Sequence, residues 1–386
     1  MAWRMRTVVN ERLMFIAALQ TGDASFSEVC RRFGVSRRTG YKWQSRYETE
    51  GPAGLESRLS VAAGCPHKTD LVVVDRLLAL RKEHPTWGPK KLRALVASEG
   101  LLPPAVSTVG DILTRHGLVR PRRRRPVPPR LATDREEAVH PNDTWCIDFK
   151  GNFALGDRTR CYPLTLTDEV SRYLLKCEGL LKTDAAPVRW HLDRAFREFG
   201  LPWRMRSDNG APFATLAMGG LSELAVWWIR LGITPERIRP GHPEENGRHE
   251  RMHRTLKDET TKPAGATLPE QQRMFDQFRH RYNDVRPHEA LGQRPPRSCY
   301  STSTRLMPAV LRSPEYPASM KVRRIDDAGR VRFAGQVNST SISHWLAHEP
   351  VGLEEVEEDT FQLWYGPLLL ARVTLGAKPF TFSPLR

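Results

Sequence analysis

At 386 residues the chain exceeds one ordinary hydrophobic core, and length alone points to two or three domains, with room for smaller modules. A formal net charge of +16 predicts attraction to a polyanion, with nucleic acid the favoured one. No run of about 18 apolar residues and no signal-like apolar segment is present, so no membrane partner is expected and the chain reads as cytoplasmic and DNA-associated.

The first expected domain, residues 1–50, carries a helix-turn-helix pattern over 8–48. Phe26, Val29, Cys30 and Phe33 recur at i, i+3, i+4 and i+7, one face of a helix. Gly34 supplies a turn, and Ser36 is placed to cap a second helix that buries Val35, Trp43 and Tyr47. That helix presents Arg37, Arg38, Lys42 and Arg46, which would meet DNA, since the second helix of such a motif enters the major groove. Residues 50–68, rich in Gly, Pro, Ser and basic residues, read as a linker.

A second helical, helix-turn-helix-like domain is expected over 69–119. Asp70 and Ser107 are placed as N-caps, and Gly100 and Gly117 as C-terminal stops. Its Lys90, Lys91 and Arg93 are candidates either for phosphate contact or for a solvated face. Residues 120–139 form an Arg/Pro-rich linker. The run RPRRRRPVPPR has little apolar surface to bury, and its Arg122, Arg123, Arg124 and Arg125 can bind phosphates.

From 140 to 300 the pattern alternates strands and helices. TWCIDFKG, CYPLTLTD and SRYLLKCEGL suit three consecutive antiparallel strands, the first carrying Asp148. A helix is expected over about 184–199, then a strand near WRMRS that delivers Asp208 at its C-terminal end. A helix over LSELAVWWIRLG follows, with Trp227 and Trp228 packing in the core, and then a strand over ITPERIRP. Next come a basic helix containing Glu250 and a last core helix in TLPEQQRMFDQFRHRYND. Residues 305–386 form a β-rich C-terminal domain. Hairpins around Asp-Ala-Gly (327–329) and Gly366-Pro367 suggest a small barrel-like fold, with the acidic stretch 353–359 facing solvent or a partner.

Asp148 in WCIDFKG, Asp208 in SDNGAPF and Glu250 in GHPEENGRHERMHRTLK are carboxylates from separate stretches. Such a set can hold divalent cations while leaving positions open for phosphate and water. These strings closely resemble the catalytic core of retroviral integrases and of the insertion-sequence transposases related to them. The resemblance implies an α/β ribonuclease H-like core with a mixed sheet. It implies Asp148, Asp208 and Glu250 as catalytic residues and as ligands of two Mg²⁺, with Mn²⁺ able to substitute.

It further implies DNA cleavage and strand transfer on double-stranded DNA, both element ends and target, by a homo-oligomer. The family's commoner spacing would select Glu244, six residues earlier. The local string N-G-x-x-E-R selects Glu250 instead, and leaves Glu244 near the helix entry, where a carboxylate suits the helix dipole. Arg254 and Lys257 follow Glu250 on its face and could hold DNA phosphates. Arg251 and His253 are expected to point elsewhere, into solvent. His242 and His249 lie near the site without an assigned role.

Retroviral integrases carry an N-terminal zinc module with paired His and Cys. The six scattered cysteines here lack its spacing, so reduced thiols and no structural zinc are expected. Two alternatives stay open: a catalytically inactive DNA-binding regulator, and a ribonuclease H-type nuclease without strand transfer.

Overall fold

The computed structural model describes residues 8–57, 68–119, 137–215, 217–239, 247–333, 336–337, 341–374 and 381–384. The chain divides into two compact units, Met1–Lys68 and Thr69–Arg386.

In the first unit, α1 (Val8–Gln20), α2 (Phe26–Arg32) and α3 (Arg37–Glu50) enclose Phe15, Ile16, Val29 and Cys30. Val35, Trp43 and Tyr47 pack against that core as expected. Gly34 turns the chain at φ +65°, and the Ser36 hydroxyl accepts from the Thr39 amide at 3.2 Å, the capping bond the sequence predicted. The expected linker begins later than residue 50. A 3₁₀ turn, Gly51–Leu55, folds back on the helices, fully buries Leu55 and takes a 2.6 Å hydrogen bond from Arg12 to the Leu55 carbonyl.

The second unit opens with α4 (Leu71–Glu83), α5 (Pro89–Ser98) and α6 (Val106–Arg115), packed around Leu77, Leu80, Trp87, Leu92, Val96 and Val109. Asp70 caps α4 by accepting from the Val72 amide at 3.0 Å. Gly100 and Gly117 stop α5 and α6 at φ +81° and +68°, values that favour glycine. Ser107 is not a cap. Helix α6 begins one residue before it, with Ala105 at the cap position and no side-chain bond there.

The central sheet is built from β1 (Thr144–Phe149), the short β2 (Phe153–Ala154), β3 (Arg160–Asp168), β4 (Leu174–Leu180), β5 (Arg204–Ser207) and β6 (Thr234–Arg237). Its path is β2-β3-β1-β5-β6 with β4 also on β3. The pairs of β3 with β1, β2 and β4 are antiparallel, and β1–β5 and β5–β6 are parallel. The sheet is therefore mixed, as expected. Period-2 alternation sorts β1 into two faces. Trp145 and Ile147 join Leu164, Leu166 and Met205 under α7 (Ala185–Phe199) and α8 (Glu223–Arg230). Cys146 and Asp148 point the other way, the side crossed by α9 (Gly247–Thr260), on which α10 (Leu268–His280) also packs.

Helix α8 is apolar all round because it serves two cores. Leu224, Trp227 and Trp228 face the central sheet, while Ala225, Val226 and Ile229 pack against the C-terminal region. There β7 (Lys321–Arg324), the separate hairpin β8–β9 (Arg332–Phe333, Gln336–Val337), β10 (Pro350–Glu357), β11 (Thr360–Tyr365), β12 (Leu368–Thr374) and β13 (Thr381–Pro384) follow.

Both expected hairpins form: Ile325 bridges Val331, and Tyr365 pairs with Leu368 across Gly366-Pro367. Among the described residues no barrel-like closure appears. The strand order β13-β12-β11-β10-β7 is an open antiparallel path with β7 and β13 at its ends. The acidic stretch lies on β10 and the turn after it. Glu355 pairs with Lys321 at 3.0 Å, and Trp364 donates to Glu354 at 3.1 Å.

Candidate active site

Strand β1 positions Asp148 and strand β5 delivers Asp208. Their parallel register runs Thr144↔Arg204, Trp145↔Met205, Cys146↔Arg206. Carried two residues further, that register brings Asp148 level with Asp208. Both then lie on the face opposite Trp145, Ile147 and Met205, on neighbouring strands about 4.8 Å apart. Both are half-buried. Asp208 ends its strand in an Asx-turn, its Oδ1 accepting from the Gly210 amide at 3.1 Å, while Asn209 ties the turn to the Ile238 carbonyl at 2.7 Å.

Helix α9 supplies the third component. Its buried face is His249, Met252, His253, Leu256 and Thr260. Glu250, Arg254 and Lys257 are exposed beside it. The expectation for His253 is overturned: it is 5 % exposed rather than solvated, with Nδ1 3.9 Å from Asp148 Oδ2. His249 is 3 % exposed. Thr165, directly opposite Asp148 on β3, has its Oγ1 2.6 Å from His249 Nε2 and 2.7 Å from His253 Nε2. Thr167 Oγ1 lies 3.1 Å from His249 Nδ1.

Burial pulls His249 down to about 3 and His253 down to about 2, the latter with smaller contributions from His249 and Lys150, so both rings are neutral near pH 7. Among the described residues, Asp148, His249 and His253 are the group of three whose ligand atoms lie within 4.8 Å of one another. Asp208 and Glu250 are outside that group. Sequence reading missed His253 because it counted histidine as polar. Scored as a core residue, it completes the i, i+3, i+4, i+7 face of α9.

An ion-pair ladder joins the elements around the carboxylates. Arg206, two residues before Asp208, bonds Glu169 at 2.7 Å and Glu236 of β6 at 2.9 Å. Glu169 also takes Arg248, two residues before Glu250, at 3.1 Å, and Glu236 takes Arg204 at 3.1 Å. Strands β5 and β6, the turn after β3 and the start of α9 are thus linked through guanidinium–carboxylate pairs. The oxygen donors of two aspartates on neighbouring strands are of the kind that suits a hard divalent cation.

Of the residues expected to meet DNA, Arg37, Arg38 and Lys42 are exposed on α3, and Arg46 is half-buried with its guanidinium 5.2 Å from the Trp43 ring centre. Lys90 and Arg93 are exposed and Lys91 is half-buried, each with a partner. Lys90 pairs with Glu289, Lys91 donates to the Pro287 carbonyl at 2.7 Å, and Arg93 donates to the Pro104 carbonyl at 3.0 Å. Arg122, Arg123, Arg124, Arg125, His242 and Glu244 lie outside the described residues. Cys30, Cys146, Cys161, Cys177 and Cys299 are free thiols, and no helix among the described residues is long and apolar enough to cross a membrane.

Residues 138–243 and 231–296 match two family profiles, each described as an integrase core domain. Residues 11–60 match a helix-turn-helix domain and residues 39–113 a homeodomain-like domain. An uncharacterized protein of insertion element IS407 from Burkholderia multivorans is 29 % identical over 232 residues, which cover 58 % of this chain and 79 % of that protein. The transposase InsD of insertion element IS2D from Escherichia coli is 28 % identical over 249 residues, 60 % of this chain and 79 % of its own. The HTLV-2 integrase catalytic core domain, solved in complex with magnesium, is 15 % identical, covers 43 % of this chain and 100 % of its own, and superposes with a TM-score of 0.35.

Proposed function

We propose a division of labour for this chain, an insertion-element transposase with an integrase core and N-terminal helix-turn-helix domains. It is a polynucleotidyl transferase, and DNA transposition is the activity that this implies. Helix α3, through Arg37, Arg38, Lys42 and Arg46, reads the element ends, and Arg122 to Arg125 track the phosphate backbone.

Asp148, Asp208 and Glu250 hold two divalent cations, Mg²⁺ with Mn²⁺ as a substitute. When bound there, such cations would supply activation of an attacking oxygen and stabilisation of the leaving oxygen. Arg254 and Lys257, exposed on the flank of Glu250, take the phosphates of the DNA strand. The half-buried setting of the two aspartates fixes their carboxylates before DNA arrives, so less reorganisation is left for the reaction itself. Joining two ends to one target calls for more than one active site, hence a homo-oligomer assembled on DNA.

The observation that supports this reading is the parallel pairing of β1 with β5 from Thr144↔Arg204 to Cys146↔Arg206, which, continued two residues, would set the two aspartates level. Strand transfer is the test: purified protein, Mg²⁺, a labelled duplex bearing the DNA that flanks its own reading frame, and plasmid as target. Joined product is expected, lost in Asp148→Ala, Asp208→Ala and Glu250→Ala while end binding persists and Glu244→Ala stays active. Cutting without joining would replace this reading with a nuclease, and end binding with neither would leave a regulator. An inactive Glu244→Ala beside an active Glu250→Ala would exchange those two residues.

A further inference from the structure

The buried face of α9 begins with two imidazoles. The string His249-Glu250-Arg251-Met252-His253 sets them at i and i+4, one turn apart on one side of the helix, a spacing at which two histidines can share a Zn²⁺. Their ring centres are 4.5 Å apart. Asp148 of β1 stands across from them, so that one donor atom from each of the three residues lies within 4.8 Å of the other two. Donors around a tetrahedral Zn²⁺ lie about 3.4 Å apart, so small side-chain rotations close this group on an ion. His253 Nδ1 is already 3.9 Å from Asp148 Oδ2.

The ring nitrogens that an ion does not use have partners of their own. His253 Nε2 lies 2.7 Å from Thr165 Oγ1, with Nδ1 on the Asp148 side. His249 has Thr165 Oγ1 at 2.6 Å from Nε2 and Thr167 Oγ1 at 3.1 Å from Nδ1, so whichever nitrogen turns to the ion, the other keeps a hydroxyl. Thr165 has the Asp148 carbonyl, 3.1 Å away, to take its own proton, which leaves its oxygen able to accept from the rings. Outer partners of this kind fix the orientation of ligating histidines.

We propose that Asp148, His249 and His253 form a site for a borderline transition-metal ion, Zn²⁺ above all, with a donor set unlike that of the Mg²⁺ sites and one carboxylate in common with them. Imidazole suits Zn²⁺ and its neighbours in the series, whereas Mg²⁺ takes oxygen ligands, so two nitrogens and one oxygen disfavour the hard ion. Three protein ligands leave the fourth tetrahedral position to water. Glu250 lies between the two histidines in sequence but is exposed beside their face, so it is not part of this donor set. Zn²⁺ bound here withdraws Asp148 from the catalytic cations and inhibits joining. That consequence rests on Asp148 being a ligand in catalysis; the site itself does not.

Co²⁺, which occupies Zn²⁺ sites and absorbs visible light in them, is the probe, titrated into the full chain with circular dichroism as the check on folding. A single Co²⁺ with the strong visible band of a four-coordinate ion is expected, displaced by Zn²⁺. His249→Gln and His253→Gln keep a side chain of similar reach but lose the imidazole. Outer partners alone are worth about 10- to 100-fold in affinity, so each variant should bind Co²⁺ about 100-fold or more weakly. Unchanged affinity in both variants, or no such band in the unaltered chain, overturns the site: the histidines are then a hydrogen-bonded core pair and any Zn²⁺ on the chain is adventitious.

Mn²⁺ EPR separates this site from the catalytic assignment. One equivalent of Zn²⁺ should release Mn²⁺ from the unaltered chain, and Asp148→Asn should weaken the binding of both Mn²⁺ and Co²⁺. If Asp148→Asn weakens Co²⁺ but not Mn²⁺, the catalytic assignment of Asp148 fails and the site stands. If it weakens Mn²⁺ but not Co²⁺, the site fails and the catalytic assignment stands. Should the glutamine variants not fold, anomalous diffraction at the zinc edge from crystals of the unaltered chain decides: an ion among the three residues supports the site, and one elsewhere overturns it.

Discussion

Arg206 is 7 % exposed and bonded to two carboxylates, Glu169 and Glu236. Removing the cation leaves Glu169 with Arg248 and Glu236 with Arg204, so each carboxylate keeps one partner and loses its most buried one. Arg206→Met should therefore lower the free energy of unfolding in urea by about 1–3 kcal/mol. Arg206→Lys should recover only part of this, because one ammonium cannot reproduce the fork that reaches both partners. A loss below about 1 kcal/mol for Arg206→Met would mean that the ladder is solvated and does not hold β5 and α9 together. Neither Arg206 nor His253 was legible as important in the sequence, although Asp148, Asp208 and Glu250 were. The three carboxylates sit in distinctive local strings. The other two gain their meaning only in the folded chain, where Arg206 meets Glu169 from 37 positions away and His253 meets Thr165 from 88.

Helix α3 was legible as an element because its signals are local: a cap at Ser36, a turn at Gly34 and apolar Trp43 and Tyr47 on one face. What sequence did not reveal is why Gly40 stands inside it. A Cβ there would lie 2.7 Å from Cys30 Sγ, 2.9 Å from the Phe26 ring and 3.0 Å from the Phe15 ring, so α3 seats against α1 and α2 only through a bare backbone. Glycine in a helix interior normally costs about 1 kcal/mol relative to alanine, and close packing offsets that here. Gly40→Ala should thus weaken end binding through displacement of α3, even though it favours helix locally. Gel-shift titrations with specific and random duplexes distinguish this from loss of base contact. Gly40→Ala should reduce both, whereas Arg37→Ala or Arg38→Ala, both exposed at the first turn, should reduce binding to the element end more than to random DNA. Equal losses in the arginine variants would confine them to phosphate contact.

The distribution of histidines gives the whole molecule an asymmetric response to acid. All twelve histidines but His67 lie beyond residue 68, so the first unit is nearly free of groups that titrate between pH 7 and 5. In the second unit burial lowers five of them: His191 to about 4, His249 and His288 to about 3, His253 to about 2, and His84 in the same direction. A folded-state value below the unfolded 6.5 means that the unfolded chain binds more protons once the pH falls below about 6.5, so stability is lost as pH falls. Each fully shifted group contributes at most about 1.4 kcal/mol per pH unit. Burial also raises Asp168 and Glu178, which opposes the trend, but two carboxyls stand against five imidazoles. Calorimetry of the full chain at pH 7, 6 and 5 should show the transition of the second unit moving to lower temperature while that of Met1–Lys68 stays in place. A second-unit transition that does not shift would mean that these histidines reach water in the native state. Because His249 and His253 share the face that holds Asp148, loss of cation binding should accompany that transition, while duplex binding by the first unit should survive it.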